Sequence, residues 1–239
     1  MINSASKFAC ILLLTTTAAM TALAGTAQNI YVRSTQATPW GQTTNEDAMD
    51  KVFGSGSWDT EYYETLDVVA LLDRNTKFIF MEGGDSSYDG FADFIQNHSV
   101  DLYTWISNGG RLLILAAPND PLNDVLLYLP NNVVLKSDAF YASAASSAYA
   151  VDISSSIFTG PFPAAYNFTG DFFSHGYFVG STVSPIMQSN LNEVVLGQTS
   201  ISHGLMVFGA LTTDNFQLPQ PFAHGLLINI IYYTATIGG

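Results

Sequence analysis

Two continuous apolar runs, separated by a segment of helical periodicity, constrain the fold of this 239-residue chain most strongly. The first run, FIFM from Phe78 to Met81, stops at Gly83-Gly84, and the second is LLILAA. Between them, apolar side chains recur three, four and seven residues apart, which is typical of an amphipathic helix, here with a break near His98. A strand buried on both faces has a continuous apolar run. The order strand, helix, strand therefore predicts a mostly parallel central sheet covered by helices on both faces.

Shorter segments on either side extend this α/β pattern. NIYVRS predicts a first strand, TTNEDAMDKVF predicts a helix capped by Thr44 or Asn45, and TEYYETLDVVALLDR predicts a strand followed by a helix. After RLLILAAP, the stretch NDVLLYLP predicts a short helix that ends at Pro130, and VVLKSD predicts a strand. The second half is rich in Ser, Ala, Gly, Phe and Tyr, and it predicts extra β-hairpins, one of them around His203-Gly204, before a closing helix.

The first 27 residues have the organisation of a secretory signal. One positive charge precedes the apolar stretch FACILLLTTTAAMTALA, and small residues follow as cleavage sites. We expect cleavage rather than anchoring, because spanning a bilayer needs about 20 apolar residues. Cys10 is the one cysteine and lies in this segment, so we expect the mature chain to have no disulfide and no thiolate nucleophile. We predict that residues 28–239 form a single secreted or cell-surface domain, with no membrane association after cleavage.

The charge balance restricts the partners of this domain. The formal net charge is −13, and only 11% of the residues are charged. Nucleic acid is excluded as a partner because like charges oppose approach. Glycans, extracellular proteins and divalent cations remain, and nothing in the sequence predicts an organic cofactor or an oligomeric state.

The order of several segments resembles a known superfamily. FIFMEGGD, the helix ending in WISNGG, and RLLILAAP resemble the core of class I glutamine amidotransferase-like domains, which include the ThuA-like and DJ-1/PfpI branches. IFTGPFPAAYNFTGDFF and VFGALTTDNF resemble the later half, so the likeness covers most of residues 29–235. The resemblance implies a flavodoxin-like, three-layer α/β/α fold.

The resemblance also implies that the catalytic machinery of the superfamily is missing. Its enzymes carry a nucleophilic Cys after the strand that matches RLLIL, where this chain has Ala116 and Ala117. They carry a His-x-Glu pair after a late strand, where this chain has Thr212, Thr213 and Asp214. A methyl group cannot attack a carbonyl. We therefore expect a catalytically inactive domain that binds a glycan or a protein, or that serves as a structural module at the surface.

Open parallel sheets bind ligands at the carboxyl ends of their strands. The loops expected there supply the predicted ligand-binding residues, namely Glu82, Asp85, Ser86, Asn119, Asp120, Thr213 and Asp214. The carboxylates of Glu82, Asp85, Asp120 and Asp214 also fit calcium, which prefers six to eight oxygen ligands. A simpler interpretation is that Asp85, and Asn119 or Asp120, cap the helices that follow them.

Two alternatives from other functional classes stay open. One is a secreted hydrolase that uses Ser86 with His175 as its base, or the carboxylates of Glu82 and Asp85 as a pair. The elbow motif G-x-S-x-G is absent from the chain. The other is a calcium-stabilised adhesion module. Exposed tyrosines would suit either glycan or protein contact, and the candidates are Tyr62, Tyr63, Tyr141, Tyr149 and Tyr166.

Overall fold

The computed structural model describes residues 29–36, 38–73, 75–118, 124–137, 144–170, 172–212 and 222–236. In these residues the helices are α1 (Thr44–Phe53), α2 (Val68–Leu71), α3 (Tyr88–Ser107) and α4 (Ala223–Thr236). The strands are β1 (Asn29–Arg33), β2 (Asp59–Tyr62), β3 (Phe78–Glu82), β4 (Arg111–Leu115), β5 (Val125–Leu129), β6 (Val133–Ser137), β7 (Ser147–Ala150), β8 (Asn167–Thr169), β9 (Tyr177–Val179), β10 (Ser184–Ser189), β11 (Val194–Ile201) and β12 (Gly204–Gly209).

The strands form one mixed sheet with a parallel and an antiparallel half. The parallel half has the order β2-β1-β3-β4-β12. Antiparallel pairing then continues from β12 through β11, β10 and β7 to β8. A three-stranded branch of β5, β6 and β9, here called the β5 ribbon, joins the sheet at β11. The chain therefore has an α/β fold, as the sequence predicts, but the predicted mostly parallel sheet is wrong, because the strands of the second half pair mainly antiparallel.

Alternating side chains of the buried strands feed two hydrophobic clusters. Phe78 and Phe80 of β3 pack with α1 and α4, whereas Ile79 and Met81 pack with α2 and α3. All four side chains are buried. This two-sided burial is the reason that FIFM is a continuous apolar run.

The predicted short helix in NDVLLYLP is wrong, because Val125–Leu129 form the strand β5. The burial of VLLYL alternates, with Leu127 and Leu129 buried and Leu126 and Tyr128 exposed. The turn that follows explains the outcome. Asn131 and Asn132 adopt φ angles of 62° and 57°, and such left-handed Asn residues are typical of tight hairpin turns. The chain therefore folds back into β6 instead of ending a helix.

Two predicted helix features also differ from the structure. The helix predicted to break near His98 is continuous, since α3 runs for 20 residues. Thr43 occupies the N-cap position of α1 without a side-chain capping bond, so neither Thr44 nor Asn45 is the cap. The Asn45 side chain instead forms a hydrogen bond with the buried Glu82 at the end of β3.

Candidate functional site

The carboxyl ends of β1, β3, β4 and β12 lie at one edge of the parallel half, because these strands run in the same direction. The chain leaves β1 toward β2 on one side and later returns to β3 on the other. At such a reversal the loops that follow the two strands diverge and leave a crevice between them. This crevice is the usual ligand site of open α/β sheets. The side chains that meet here are Trp40, Glu82, Asp85, Ala117 and His175, and they are called the carboxyl-edge cluster below.

Glu82, the last residue of β3, is the buried polar centre of the cluster. Only 3% of the residue is exposed. Its Oε1 accepts a hydrogen bond from the Gly84 amide at 2.6 Å, and its Oε2 lies 2.6 Å from the Asn45 side-chain amide. Burial raises the pKa of Glu82 to about 8. The two hydrogen bonds favour the charged form and offset only part of this effect. Glu82 is therefore a neutral carboxylic acid at pH 7.

The neutral form of Glu82 also agrees with the geometry around Asn45. The same Asn45 amide atom lies 3.1 Å from the Tyr31 hydroxyl. Rotating the amide by half a turn exchanges its nitrogen and oxygen. The structure has Asn45 Nδ2 donating to Glu82 Oε2 and to the Tyr31 hydroxyl; in the rotated orientation Oδ1 would accept from both groups, which requires a protonated Glu82. A separation of 2.6 Å suits an O–H···O bond better than an N–H···O bond.

Asp85 joins the loop after β3 to the loop after β1. Its Oδ2 accepts a hydrogen bond from the Trp40 backbone amide at 3.2 Å, and its own amide donates to the Ala117 carbonyl at 3.2 Å. Asp85 and Trp40 adopt φ angles of 47° and 55°. The prediction that Asp85 caps the next helix is wrong, because the N-cap position of α3 is Ser87, which makes no capping bond. The carboxylate holds two strained loops together instead.

His175 closes the cluster from the antiparallel half. Its backbone amide donates to the Ala210 carbonyl just after β12. Its Nδ1 lies 3.2 Å from the Pro118 carbonyl, which only accepts, so Nδ1 carries the proton and Nε2 has the free lone pair. Burial lowers the pKa of His175, and the ring is neutral at pH 7. It lies between the rings of Trp40, at 5.1 Å, and Phe172, at 6.3 Å.

The two alanines at the predicted nucleophile position follow β4, which ends at Leu115. Both are fully buried. The Ala116 amide donates to the Gly209 carbonyl and so fixes the end of β4 against β12. A side chain added at Gly84 would place its Cβ 3.7 Å from the Ala117 Cβ. The methyl group of Ala117 therefore packs against the loop that also carries Glu82 and Asp85.

The remaining predicted site residues are Ser86, which the structure describes, and four residues that lie outside the described ranges. The Ser86 hydroxyl is buried without a hydrogen-bond partner among the described residues. The side chain of its neighbour Ser87 accepts a bond from the Ser34 amide. The predicted ligand residues Asn119, Asp120, Thr213 and Asp214 lie outside the described residues, as does Tyr141.

The structure also locates the remaining histidines and tyrosines. His203 is in the turn between β11 and β12, and His224 is in the first turn of α4. Tyr149 and Tyr166 are exposed, whereas Tyr62 and Tyr63 are partly buried. Within the described ranges, no three His, Cys, Asp or Glu side chains come together as a metal site. The calcium site stays a prediction, since two of its four carboxylates are outside those ranges.

The sequence did not predict Trp40, Asn45 or Phe172 as part of the site. Each reaches the cluster through the tertiary fold, for example across 37 residues between Asn45 and Glu82. One local signal was present, the turn sequence Pro39-Trp40-Gly41 in the connection between β1 and α1. A cavity of about 480 Å³ lies at the opposite edge of the sheet, between α2 and α3, and contains none of the predicted site residues. No helix in the described part of the chain is long and apolar enough to cross a membrane.

The fold and the cluster together define an α/β protein whose polar and aromatic side chains gather at the carboxyl edge of a mixed sheet. No known family model and no curated protein matches the chain. Among solved structures, the cytoplasmic protein STM3548 from Salmonella typhimurium is similar with a TM-score of 0.53 and 15% identity, over 87% of this chain and 98% of that one. A GMP synthase-like protein from Thermoplasma acidophilum is similar with a TM-score of 0.51 and 11% identity, over 87% and 94%. At these identities the similarity concerns the fold alone.

Proposed function

We propose that this chain is a secreted, catalytically inactive domain of the glutamine amidotransferase-like superfamily that binds a glycan at the carboxyl-edge cluster. The scaffold we propose is flavodoxin-like, with three layers and added hairpins. The parallel strands support it, since the order β2-β1-β3-β4-β12 corresponds to the 2-1-3-4-5 order of that fold. The similarity to the GMP synthase-like protein supports the choice of superfamily.

The observation that carries the proposal is the methyl group of Ala117 at the end of β4. In the superfamily that the chain resembles, the attacking sulfur occupies the position that matches Ala116 or Ala117. Here a fully buried methyl packs against the loop that begins at Gly83 and Gly84. Carbonyl attack needs a thiolate or an alkoxide, so the chemistry of the superfamily has no starting group at this position.

The carboxyl groups of the cluster support binding rather than catalysis. Both oxygens of Glu82 are engaged with Gly84 and Asn45. Asp85 uses one carboxylate oxygen to hold the Trp40 amide. These bonds fix the loops after β1 and β3, and fixed loops at a strand reversal make a preorganised binding surface.

The aromatic side chains of the cluster indicate the class of ligand. The His175 ring lies 5.1 Å from the ring of Trp40 and 6.3 Å from that of Phe172, a neighbour of the cluster with half of its surface exposed. Trp40 and Phe172 hold φ angles of 55° and 65°, a conformation that is strained for bulky residues. Aromatic rings beside a carboxylate offer a flat apolar face and a hydrogen-bond acceptor. A sugar ring matches both features, since it has apolar C–H faces and hydroxyl donors.

A glycan-binding screen with the purified protein tests this proposal. We expect at least one oligosaccharide to bind the wild type and to lose at least tenfold in affinity in Trp40→Ala, since about 1.4 kcal/mol corresponds to a factor of ten. Trp58→Ala is the matched control, because Trp58 bonds to Asp50 of α1 and lies outside the cluster. Equal loss in both variants, or binding that Trp40→Ala leaves unchanged, contradicts the proposed site.

The hydrolase alternative is favoured by one observation, the free lone pair on Nε2 of the neutral His175. A base of this kind can activate a serine within hydrogen-bond reach. We expect no turnover of ester, amide or glycoside substrates by the wild type above that of Ser86→Ala. Turnover that Ser86→Ala or Asp85→Ala abolishes would establish the hydrolase and end the proposal of an inactive domain.

A further inference from the structure

The outer face of β5 carries exposed apolar side chains. Leu126 is 56% exposed and Tyr128 is 64% exposed, while Leu127 between them is buried in the same cluster as α3. Leu126 lies opposite Lys136 of β6, and Tyr128 lies opposite Val134. One face of the β5 ribbon therefore belongs to the core, and the other presents Leu126 and Tyr128 to solvent.

β5 is also an edge strand. Within the described residues it pairs with β6 alone. An unpaired edge is a template for another strand, and proteins usually protect such edges with charges or by keeping them short. The other two edges of the sheet follow this rule, because β2 carries Asp59 and Glu61, and β8 has only three residues. The five residues of β5 are all uncharged.

The strands of the β5 ribbon lack the acidic side chains that would repel a second copy of this chain. The chain has a net charge of −13, so two copies repel each other over most of their surface. The strands β5, β6 and β9 contain one charged residue, Lys136. Two copies that approach through the β5 ribbon therefore meet at a surface without acidic side chains on its strands.

We propose that β5 is the contact through which two copies of this chain pair, as antiparallel strands around a two-fold axis at Leu127. In this register Leu126 of each copy lies opposite Tyr128 of the other, an aliphatic–aromatic pair of the kind that stabilises sheets. Asp124 falls opposite Pro130 of the second copy, so no two acids face each other. The inference goes beyond the proposed glycan binding and does not depend on it.

The small size of the β5–β5 contact predicts a weak dimer. A stable dimer usually buries about 800 Å² per partner, contributed by 20 to 30 residues. Pairing of five residues is smaller than that. We therefore expect a reversible dimer that forms at micromolar concentration and dissociates on dilution.

Light scattering on the purified protein tests the contact. We expect a concentration-dependent dimer in the wild type and a monomer in Tyr128→Lys. Val100→Lys is the control, because Val100 is also an exposed apolar residue, on α3, and the change adds the same charge. A monomeric wild type, or a dimer that Tyr128→Lys leaves intact, overturns the proposal. Circular dichroism checks that both variants retain the fold.

Disulfide cross-linking tests the register in the same protein with Cys10→Ser. Paired residues in an antiparallel ladder have Cα atoms about 4.5 to 5.5 Å apart, which suits a disulfide. A mixture of Leu126→Cys and Tyr128→Cys chains, oxidised with copper phenanthroline, should yield mainly the mixed dimer. Cross-linking between identical variants to the same extent, or no cross-linking, overturns the two-fold register at Leu127.

Discussion

The two ends of the parallel strands differ in what they offer a ligand. The carboxyl edge has the polar chemistry, with a neutral buried acid, a neutral histidine and loops held at positive φ. The amino edge has the open volume, a cavity of about 480 Å³ between α2 and α3. This cavity has polar side chains of its own, among them Thr76, Lys77 and Asp101, but it lies where the strands begin, whereas open α/β sheets bind ligands at the carboxyl ends of their strands. We propose that strained backbone and buried polar groups mark the ligand site in this fold better than open volume does, and the following variants test this proposal.

Glu82→Gln should have the largest effect, and the effect should depend on pH. Folding raises the pKa of Glu82 from 4.5 to about 8, so the unfolded chain loses this proton first as the pH rises. The contribution of Glu82 to stability is therefore complete below pH 4.5 and is lost as the pH rises to about 8. Gln keeps the shape and the hydrogen bonds of the neutral acid without titrating. We expect Glu82→Gln to match the wild type near pH 5 and to exceed its free energy of unfolding by about 4 kcal/mol near pH 9.

Chemical denaturation at the two pH values measures this difference. Glu61→Gln, on the edge strand β2, removes a negative charge away from the cluster and serves as the control. A Glu82→Gln variant that is less stable than the wild type at the higher pH would show that the folded protein stabilises the charged form of Glu82, so that folding does not raise its pKa.

Gly110→Ala should have the next largest effect, at the amino edge. A Cβ at Gly110 would lie 2.5 Å from the Trp105 ring, which lines the cavity. Overpacking of this kind costs about 1–3 kcal/mol. We expect thermal unfolding to show the loss, and Trp105→Phe to relieve part of it in the double variant, because the smaller ring leaves room. Purely additive losses would mean that the two residues do not clash.

Asp85→Ala should have a smaller effect on stability and a larger one on binding. The change removes the acceptor of the Trp40 amide, which costs about 1 kcal/mol. The loop after β1 then loses its link to β3, so we expect the affinity for the glycan to fall more than the stability does. Asp93→Ala, an exposed position on α3, is the control for calorimetric titration. Unchanged affinity in Asp85→Ala would remove this carboxylate from the site.

Val69→Lys should have the smallest effect. Val69 is 84% exposed at the rim of the amino-edge cavity. Exposed substitutions usually change stability by less than about 0.5 kcal/mol. We expect both the stability and the glycan affinity of Val69→Lys to equal those of the wild type, measured by denaturation and calorimetric titration. Loss of affinity in this variant would move the ligand to the amino edge.

The sequence predicts the parallel half of the fold better than the antiparallel half. β3 and β4 are continuous apolar runs on either side of α3, which has a clear helical period, and the structure confirms all three. β5 has the same length as β3 and β4, but it has no such helical neighbour, and five apolar residues in a row fit either a helix or a strand. The turn Pro130-Asn131-Asn132 was the better guide, because left-handed Asn residues return the chain as a hairpin.

The candidate site was predictable only where it follows a strand. Glu82 and Asp85 come at or just after the end of β3, so the sequence places them at the carboxyl edge. Their partners do not follow from local sequence. Trp40 is 45 residues from Asp85, and His175 is 57 residues from Pro118. Their meeting depends on the strand order and on the return of the antiparallel half, which no short motif encodes.

Mapping the bound glycan by amide chemical shifts tests the central claim most directly. The account predicts that a saturating ligand shifts the amides of residues 34–36, 38–43, 83–88 and 172–176, with little change around Val68, Lys77 and Asp101. Shifts that concentrate around the α2–α3 cavity, with the loops after β1 and β3 unaffected, would contradict it.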